Sequence, residues 1–384
     1  MRKKLERIVI IGPVYPYKGG ISHYTGLLCK NLRERYEVLM VSYSMQYPKI
    51  LFRREQRDYK NDSFQVPDTK FWLNTANPRS WRKTAKEVKK FGPDLVIFQW
   101  WHPYFAPCYR SLAKKLGGIK ILFLCHNVFP HERFLLDRQL CRSALRHGDY
   151  FITHSKKDAE DLRTIRQDAK CLVAVHPTYD AFLFQGLSRE KARQMLGLAQ
   201  DEQVLLFFGF VRGYKGLKHL IAALPGIRKK LPRARLLVVG DFAGNKQQYL
   251  DMIEKERVGK AISIYDGYIP DREVEQYFAA SDLVVLPYES ATQSGIVQIA
   301  YGFERPVVAT QVGGLADVVL DGRTGFLVPP FQPEQLAEAV SRFFLENRAQ
   351  EFAENIRKEA DRYSWDRMRE AIEKLWEEDT CAFS

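Results

Sequence analysis

The apolar positions of this chain fall in short continuous runs separated by longer stretches of mixed character. In the first half the runs are RIVIIG (7–12), EVLMVS (37–42), DLVIFQ (94–99), KILFLC (120–125), DYFITH (149–154) and CLVAV (171–175). In the second half they are VLLFFG (204–209), RLLVVG (235–240), AISIYD (261–266), DLVVLP (282–287) and PVVAT (306–310). A run that is apolar at consecutive positions predicts a strand buried on both faces, as in parallel sheets. Helical stretches such as EQLAEAVSRFFLE (334–346) lie between the runs. This alternation predicts an α/β protein with doubly wound sheets. There are too many strands for one ordinary sheet, so two similar domains are expected, joined near HPTYDAFLFQGLSRE (176–190). The stretch YSWDRMREAIEKLWEE (363–378) predicts an amphipathic helix with Trp365, Met368, Ile372 and Leu375 on one face.

One segment departs from the pattern. Residues 44–76 are long, basic and aromatic, with Ile50, Leu51 and Phe52 beside Arg53 and Arg54. Apolar anchors next to cations suit a membrane interface; an ordinary excursion packed on the domain explains the segment equally well. Charge sharpens the first reading. Residues 1–183 hold 33 Lys and Arg against 17 Asp and Glu, a net +16, whereas the remainder holds 26 against 29, a net −3. The first half therefore faces an anionic partner, or presents a solvated basic surface.

The 384 residues and 46% hydrophobic content allow two packed cores. No apolar run approaches the roughly 18–20 residues needed to span a bilayer. The opening MRKKLERIVIIG is too briefly apolar for a signal peptide and reads as a first strand. Six scattered cysteines without a CxxC pair point to a reducing compartment, hence a cytoplasmic protein. LCHNVFPHE holds Cys125, His126 and His131, but no second cluster completes a zinc site.

Three strand-to-helix junctions have the makings of anion sites. GPVYPYKGGISHYTGLL (12–28) places Gly19 and Gly20 at a helix start, where free N–H groups and the dipole favour negative charge. FFGFVRGYKGLKHLIAAL (207–224) brings Gly209, Arg212 and Lys215 to another, an arrangement that could clamp a diphosphate. Thr292, Gln293, Ser294 and Gly295 lead into a third, IVQIAYGF. Each alone is also explained as a plain turn or cap; three together favour a phosphorylated ligand. The G-x-G-x-x-G and P-loop patterns are absent. So are D-x-D, H-E-x-x-H and G-x-S-x-G, and binding without a metal or other cofactor is expected.

With these stretches go VVGDF (238–242), YIPDREVEQYFAASDLVVLPYES (268–290) and RPVVATQVGGLADVVLDGRTGFLVPP (305–330). Over almost its whole length the chain resembles family 4 glycosyltransferases, retaining enzymes of GT-B fold that use nucleotide-sugar donors. The resemblance implies two Rossmann-like domains facing a cleft. Residues 1–183 would be the acceptor side and 184–363 the nucleotide-sugar side, with a C-terminal helix (364–384) crossing back to the first domain. It implies that Gly20 lies near the donor phosphates and acceptor, His126 beside the transferred sugar, and Lys215 on the diphosphate. It also puts the amides of Ser294, Gly295 and Ile296 on the phosphates, and Tyr268 and Ile269 at the nucleobase. A satisfied core histidine remains the other reading of His126.

Two positions depart from the family pattern. Phe210 stands where the diphosphate arginine is expected, and Arg212 is the nearby substitute. The usual pair of glutamates is missing: Glu289 is followed eight residues later by Val297, and Ala300 takes the expected second position. The SATQSG form (290–295) resembles a bacterial branch without that pair, leaving Glu289 either a partial replacement or a structural residue. The implied function is transfer of a sugar from a UDP- or GDP-linked donor to a glycan or lipid-linked acceptor, on the inner face of a membrane where the basic half meets anionic lipid. A non-catalytic subunit of the same fold, binding nucleotide-sugar or a partner enzyme, is the alternative. An epimerase would need carboxylates that are not found, and nucleic-acid binding would leave the phosphate loops unexplained.

Overall fold

The computed structural model describes residues 4–52, 55–60, 62–130, 134–242 and 244–381. The chain divides into two compact units, Met1–Val175 with Ser364–Ser384, and His176–Tyr363.

The first unit is built on β1 (Arg7–Ile11), β2 (Glu37–Met45), β3 (Lys70–Asn74), β4 (Leu95–Trp100), β5 (Lys120–Cys125), β6 (Tyr150–Thr153) and β7 (Lys170–Val173). They form one sheet in the order β3-β2-β1-β4-β5-β6-β7, parallel throughout. The connecting helices are α1 (Gly20–Leu32), α2 (Pro78–Phe91), α3 (Ala106–Lys115), α4 (Asp137–Leu145) and α5 (Lys156–Arg163). Every residue of β4 is buried, which is why its sequence is apolar without alternation.

The second unit carries β8 (Gln203–Phe208), β9 (Ala234–Gly240), β10 (Ile262–Asp266), β11 (Leu283–Leu286), β12 (Val307–Thr310) and β13 (Gly325–Val328). This sheet is also parallel, in the order β10-β9-β8-β11-β12-β13. Its helices are α6 (Arg189–Met195), α7 (Leu217–Lys230), α8 (Lys246–Lys255), α9 (Asp271–Ala280), α10 (Gly295–Gly302), α11 (Leu315–Val318), α12 (Pro333–Leu345) and α13 (Ala349–Lys358). The last helix, α14 (Trp365–Cys381), belongs to the first unit. It buries Met368, Ile372 and Leu375 there, packing on α1, β6 and β7. Each such side chain contributes about 1.5–3 kcal/mol of burial.

The apolar runs did not mark β3 and β13. Both are sheet-edge strands. The former, KFWLN, lies inside the segment that departs from the pattern, so residues 44–76 in part extend the sheet. Within that segment Ile50 is 85% and Leu51 63% exposed, while Arg53 and Arg54 lie outside the described residues. No described helix is long and apolar enough to cross a membrane.

In the second unit Arg193 is fully buried. Its guanidinium donates to Asp282 at 2.7 Å and to the carbonyls of Ala280, Gln200 and Glu202. Asp282 also accepts from Arg189 and from the backbone N–H of Val204, so one ion pair joins α6, the end of α9 and the start of β8. Removing one partner of a buried pair strands the other charge. Arg193→Met is therefore expected to lower the unfolding free energy by about 3–5 kcal/mol. Urea denaturation checks this, and a midpoint equal to wild type would contradict it.

Candidate functional site

In the second sheet the strand order reverses between β8 and β11. The loops leaving these two strands part in opposite directions, which opens a crevice at the carboxyl ends of the strands. The loops are residues 209–216 and 287–294, and each opens a helix, α7 and α10. Two glycines let the backbones meet here. A Cβ on Gly216, at φ 66°, would stand 1.9 Å from the carbonyl oxygen of Pro287. One on Gly240, at φ 143°, would stand 2.0 Å from that of Gly209. No L side chain fits either place.

Side chains converge on the same spot. A Cβ added to Gly209 would meet Lys215 Nζ at 3.0 Å and Ile296 Cδ1 at 3.5 Å. The Lys215 ammonium lies 5.6 Å over the ring of Tyr288. The Tyr288 hydroxyl is 3.4 Å from Ser294 Oγ, and Ser294 caps α10 by accepting from Ile296 N–H at 3.3 Å. Lys215 is half-buried and has no carboxylate partner among the described residues. Burial, with the charge of Arg212 adding to it, pushes its ammonium below the usual lysine range. A desolvated cation beside a helix N-terminus is a site short of negative charge.

The remaining residues expected in this unit are placed less uniformly. Arg212 is exposed at the start of the Gly213–Lys215 turn, and Phe210, at the position expected for an arginine, is 44% exposed. Thr292 is held by a bond from Gly314 N–H to its carbonyl, and Gln293, Ser294, Gly295 and Ile296 are half-buried beside it. Gln293 Oε1 is buried without a hydrogen-bond partner among the described residues. Tyr268 and Ile269 follow β10 at the same carboxyl edge, on the outer flank of the sheet. Glu289 is engaged by α7: Lys218 lies 2.7 Å and His219 2.9 Å from its Oε1. Burial works against this carboxylate, but the hydrogen bonds from Lys218 and His219 outweigh it and hold the group below its usual range. Tyr288, Lys218 and His219 were not singled out by the sequence. A tyrosine directly after a buried strand and before Glu289 is the signal that was available.

The first unit has its own reversal, between β1 and β4. Gly19, at φ 108°, precedes α1, and Gly20 opens it with no atom within 4 Å of where a Cβ would go. His126 leaves β5 and is only 1% exposed. Its Nε2 is 2.8 Å from Oε1 of Gln99, its backbone N–H donates to the Trp100 carbonyl, and its ring lies edge-on to Tyr24 with ring centroids 4.7 Å apart. Gly12 makes room for Gln99, since a Cβ there would lie 2.5 Å from Gln99 Cγ. Gln99, a buried polar residue ending an apolar strand, is a further residue the sequence reading passed over. His131 lies outside the described residues, and no group of three His, Cys, Asp or Glu among those described could hold a metal.

Asp158 anchors the His126 loop by accepting from Val128 N–H at 3.1 Å and from the Ser155 hydroxyl at 2.7 Å. Burial raises its pKa from 3.8 to about 6. The folded state thus holds a proton that the unfolded chain has already released. This contribution is fully present below pH 3.8 and is lost as pH rises through 6. Asn at this position keeps an acceptor for Val128 and removes the buried charge. The stability of Asp158→Asn relative to wild type is expected to improve between pH 4 and pH 8, by on the order of 1–3 kcal/mol. Denaturation curves at the two pH values check the sign.

Two parallel, doubly wound units with this chain order make the GT-B fold. Superposition supports it over nearly the full length. Sucrose-phosphate synthase from Thermosynechococcus elongatus matches with TM-score 0.73 at 19% identity, covering 98% of this chain and 100% of that one. Anabaena HepE in complex with UDP-glucose matches with TM-score 0.74 at 19% identity, covering 97% and 99%. In sequence, residues 18–181 match Glycosyltransferase Family 4 and residues 202–346 match Glycosyl transferases group 1. The chain is similar to D-inositol 3-phosphate glycosyltransferases. That of Mycobacteroides abscessus is 30% identical over 222 residues, 57% of this chain and 49% of the relative. That of Actinosynnema mirum is 30% identical over 272 residues, 68% and 64%. A lipopolysaccharide 1,2-N-acetylglucosaminetransferase of Salmonella typhimurium is 24% identical over 275 residues, 69% of each. The chain thus spans about half to two thirds of the length of the inositol phosphate relatives. In sequence and in fold the chain is thus similar to glycosyltransferases of family 4 and group 1.

Proposed function

We propose that this protein is a retaining glycosyltransferase that moves a sugar from a nucleotide-sugar, UDP-linked in the first instance, to a glycan or lipid-linked acceptor. The observation that carries the reading is the meeting of Lys215, Gly209, Ser294 and Ile296 at the strand-order reversal of the second unit. A desolvated ammonium with no carboxylate partner among the described residues, and the N-terminus of α10, would take the negative charge of a diphosphate. HepE, solved with UDP-glucose on the same fold, supports the nucleotide class.

In this reading the bond from the sugar's anomeric carbon to the phosphate oxygen breaks, and the diphosphate leaves with its electron pair. The acceptor hydroxyl oxygen attacks the same face of the sugar, and its proton passes to the departing phosphate. Lys215, Arg212 and the amides of Ser294, Gly295 and Ile296 would stabilise the charge that develops on the leaving group. No enzyme carboxylate is required, which fits a Glu289 engaged by Lys218 and His219. Tyr268 and Ile269 would border the nucleobase, and Gly19, Gly20 and His126 would serve the first unit's side of the reaction. The alternative, a binding subunit without turnover, would bind the nucleotide and release no product. We assign the protein to the cytoplasmic face of a membrane, since Ile50 and Leu51 stand exposed on the more basic half of the chain.

Calorimetry with UDP in EDTA is expected to show binding. A requirement for added magnesium or manganese would count against metal-free charge neutralisation. Lys215→Ala should weaken the UDP complex by about 1.5–3 kcal/mol, the range for a hydrogen bond to a charged group. Arg212→Ala should also lose affinity; unchanged binding would remove it from the site. Product analysis across a panel of nucleotide-sugars separates transferase from binding subunit. For the membrane assignment, Ile50→Ser with Leu51→Ser should reduce flotation with vesicles, and equal flotation would argue against it.

A further inference from the structure

The first unit holds a second concentration of positive charge, on the other edge of its sheet. Arg82, Lys86, Lys89 and Lys90 of α2 and Lys115 of α3 line a groove of about 460 Å³, floored by the buried Ala85. Arg82, Lys86 and Lys89 follow one another at i, i+4 and i+7, so α2 presents them on one face. The groove lies where α2 packs against α3. Lys89, Lys90 and Lys115 stand just before β4 and β5 begin, at the amino edge of the parallel sheet. Gly19, Gly20 and His126 follow carboxyl ends of strands, so they belong to the opposite edge.

Lys90 pairs with Glu87 at 2.9 Å, whereas Arg82, Lys86, Lys89 and Lys115 have no acidic partner among the described residues. No acidic residue lines the groove. The helix dipole accounts for cations in the last turns, which covers Lys89, Lys90 and Lys115 singly. It accounts neither for Arg82 and Lys86 nor for the meeting of all five. Like charges at i,i+3 and i,i+4 on one helix face oppose the helix. Arg82–Lys86, Lys86–Lys89 and Lys86–Lys90 are three such pairs. A bound anion offsets that repulsion.

We propose that this groove binds a ligand carrying clustered phosphate groups, apart from the sugar-transfer site. The groove is open along its solvent side, and its volume is more than a single phosphate needs. Arg82 supplies a planar fork for two phosphate oxygens, and the lysines supply point charges along the groove. The ligand is either a free polyphosphate ester or the headgroups of an anionic bilayer, and both share this chemistry.

The test uses the full chain and two probes, inorganic tripolyphosphate followed by calorimetry and vesicles containing phosphatidylglycerol followed by flotation. Three variants are compared with wild type. The groove variant is Arg82→Gln, Lys86→Gln, Lys89→Gln. The control removes the same charge from exposed positions of α4, α5 and their flank, as Arg142→Gln, Arg146→Gln, Arg163→Gln. The third, Lys86→Arg with Lys89→Arg, keeps the charge. Saturable tripolyphosphate binding that falls at least tenfold in the groove variant, and less than twofold in the other two, supports the site with a soluble ligand. Vesicle binding with the same ranking, and no tripolyphosphate binding, supports it with lipid headgroups as the source. Binding of neither probe overturns the proposal. Equal losses in the groove and control variants overturn it too, because net charge alone then suffices.

Discussion

Backbone against backbone is the constraint on which the candidate site depends. Where Gly216 meets the Pro287 carbonyl and Gly240 meets that of Gly209, two pairs of loops touch with no side chain between them. Contact of this kind fixes the loops without occupying the space in front of them. The ammonium of Lys215 and the N-terminus of α10 are thereby brought to one place. A methyl group at either glycine would push the loops apart, and the cation would no longer share a site with the helix end. Lys215 is left half-buried with no carboxylate partner among the described residues. An ammonium so placed is more favourable with an anion present than without one.

The first unit solves a related problem differently. Its loops are fixed by buried polar groups: Gln99 on His126, and Asp158 on Val128 and Ser155. Buried hydrogen bonds specify geometry because an unmade one costs about 1–3 kcal/mol. The result is a histidine locked in orientation by its neighbours, with the edge of Tyr24 against its ring. Any role it plays toward a ligand acts through a small exposed margin, or through the loop it holds.

The fold was largely legible in the sequence because strands buried on both faces announce themselves by apolar runs. β3 and β13 were not: KFWLN is only part-buried at a sheet edge, and GFLV, although mostly buried, is a run of four residues too short to stand out. The phosphate-type loops were legible from glycines and cations after strands. What could not be read were the partners that chain distance hides. The attachment of Glu289 to Lys218 and His219 spans some seventy positions, and Gln99 reaches His126 across a whole strand–helix–strand unit. The basic groove was visible only as net charge, because it exists where two helices lie side by side.

The placement of α14 bears on the order in which the protein can be completed. A ribosome delivers residues in sequence, and domains generally fold as units as they emerge. The second unit is continuous, so all of its residues are available once Tyr363 has been made. The first unit begins earlier yet must wait for Trp365–Cys381 to cover α1, β6 and β7. The half of the molecule that starts synthesis is therefore the half that finishes folding last. During that interval the apolar surface later covered by Met368, Ile372 and Leu375 is open to whatever the nascent chain meets.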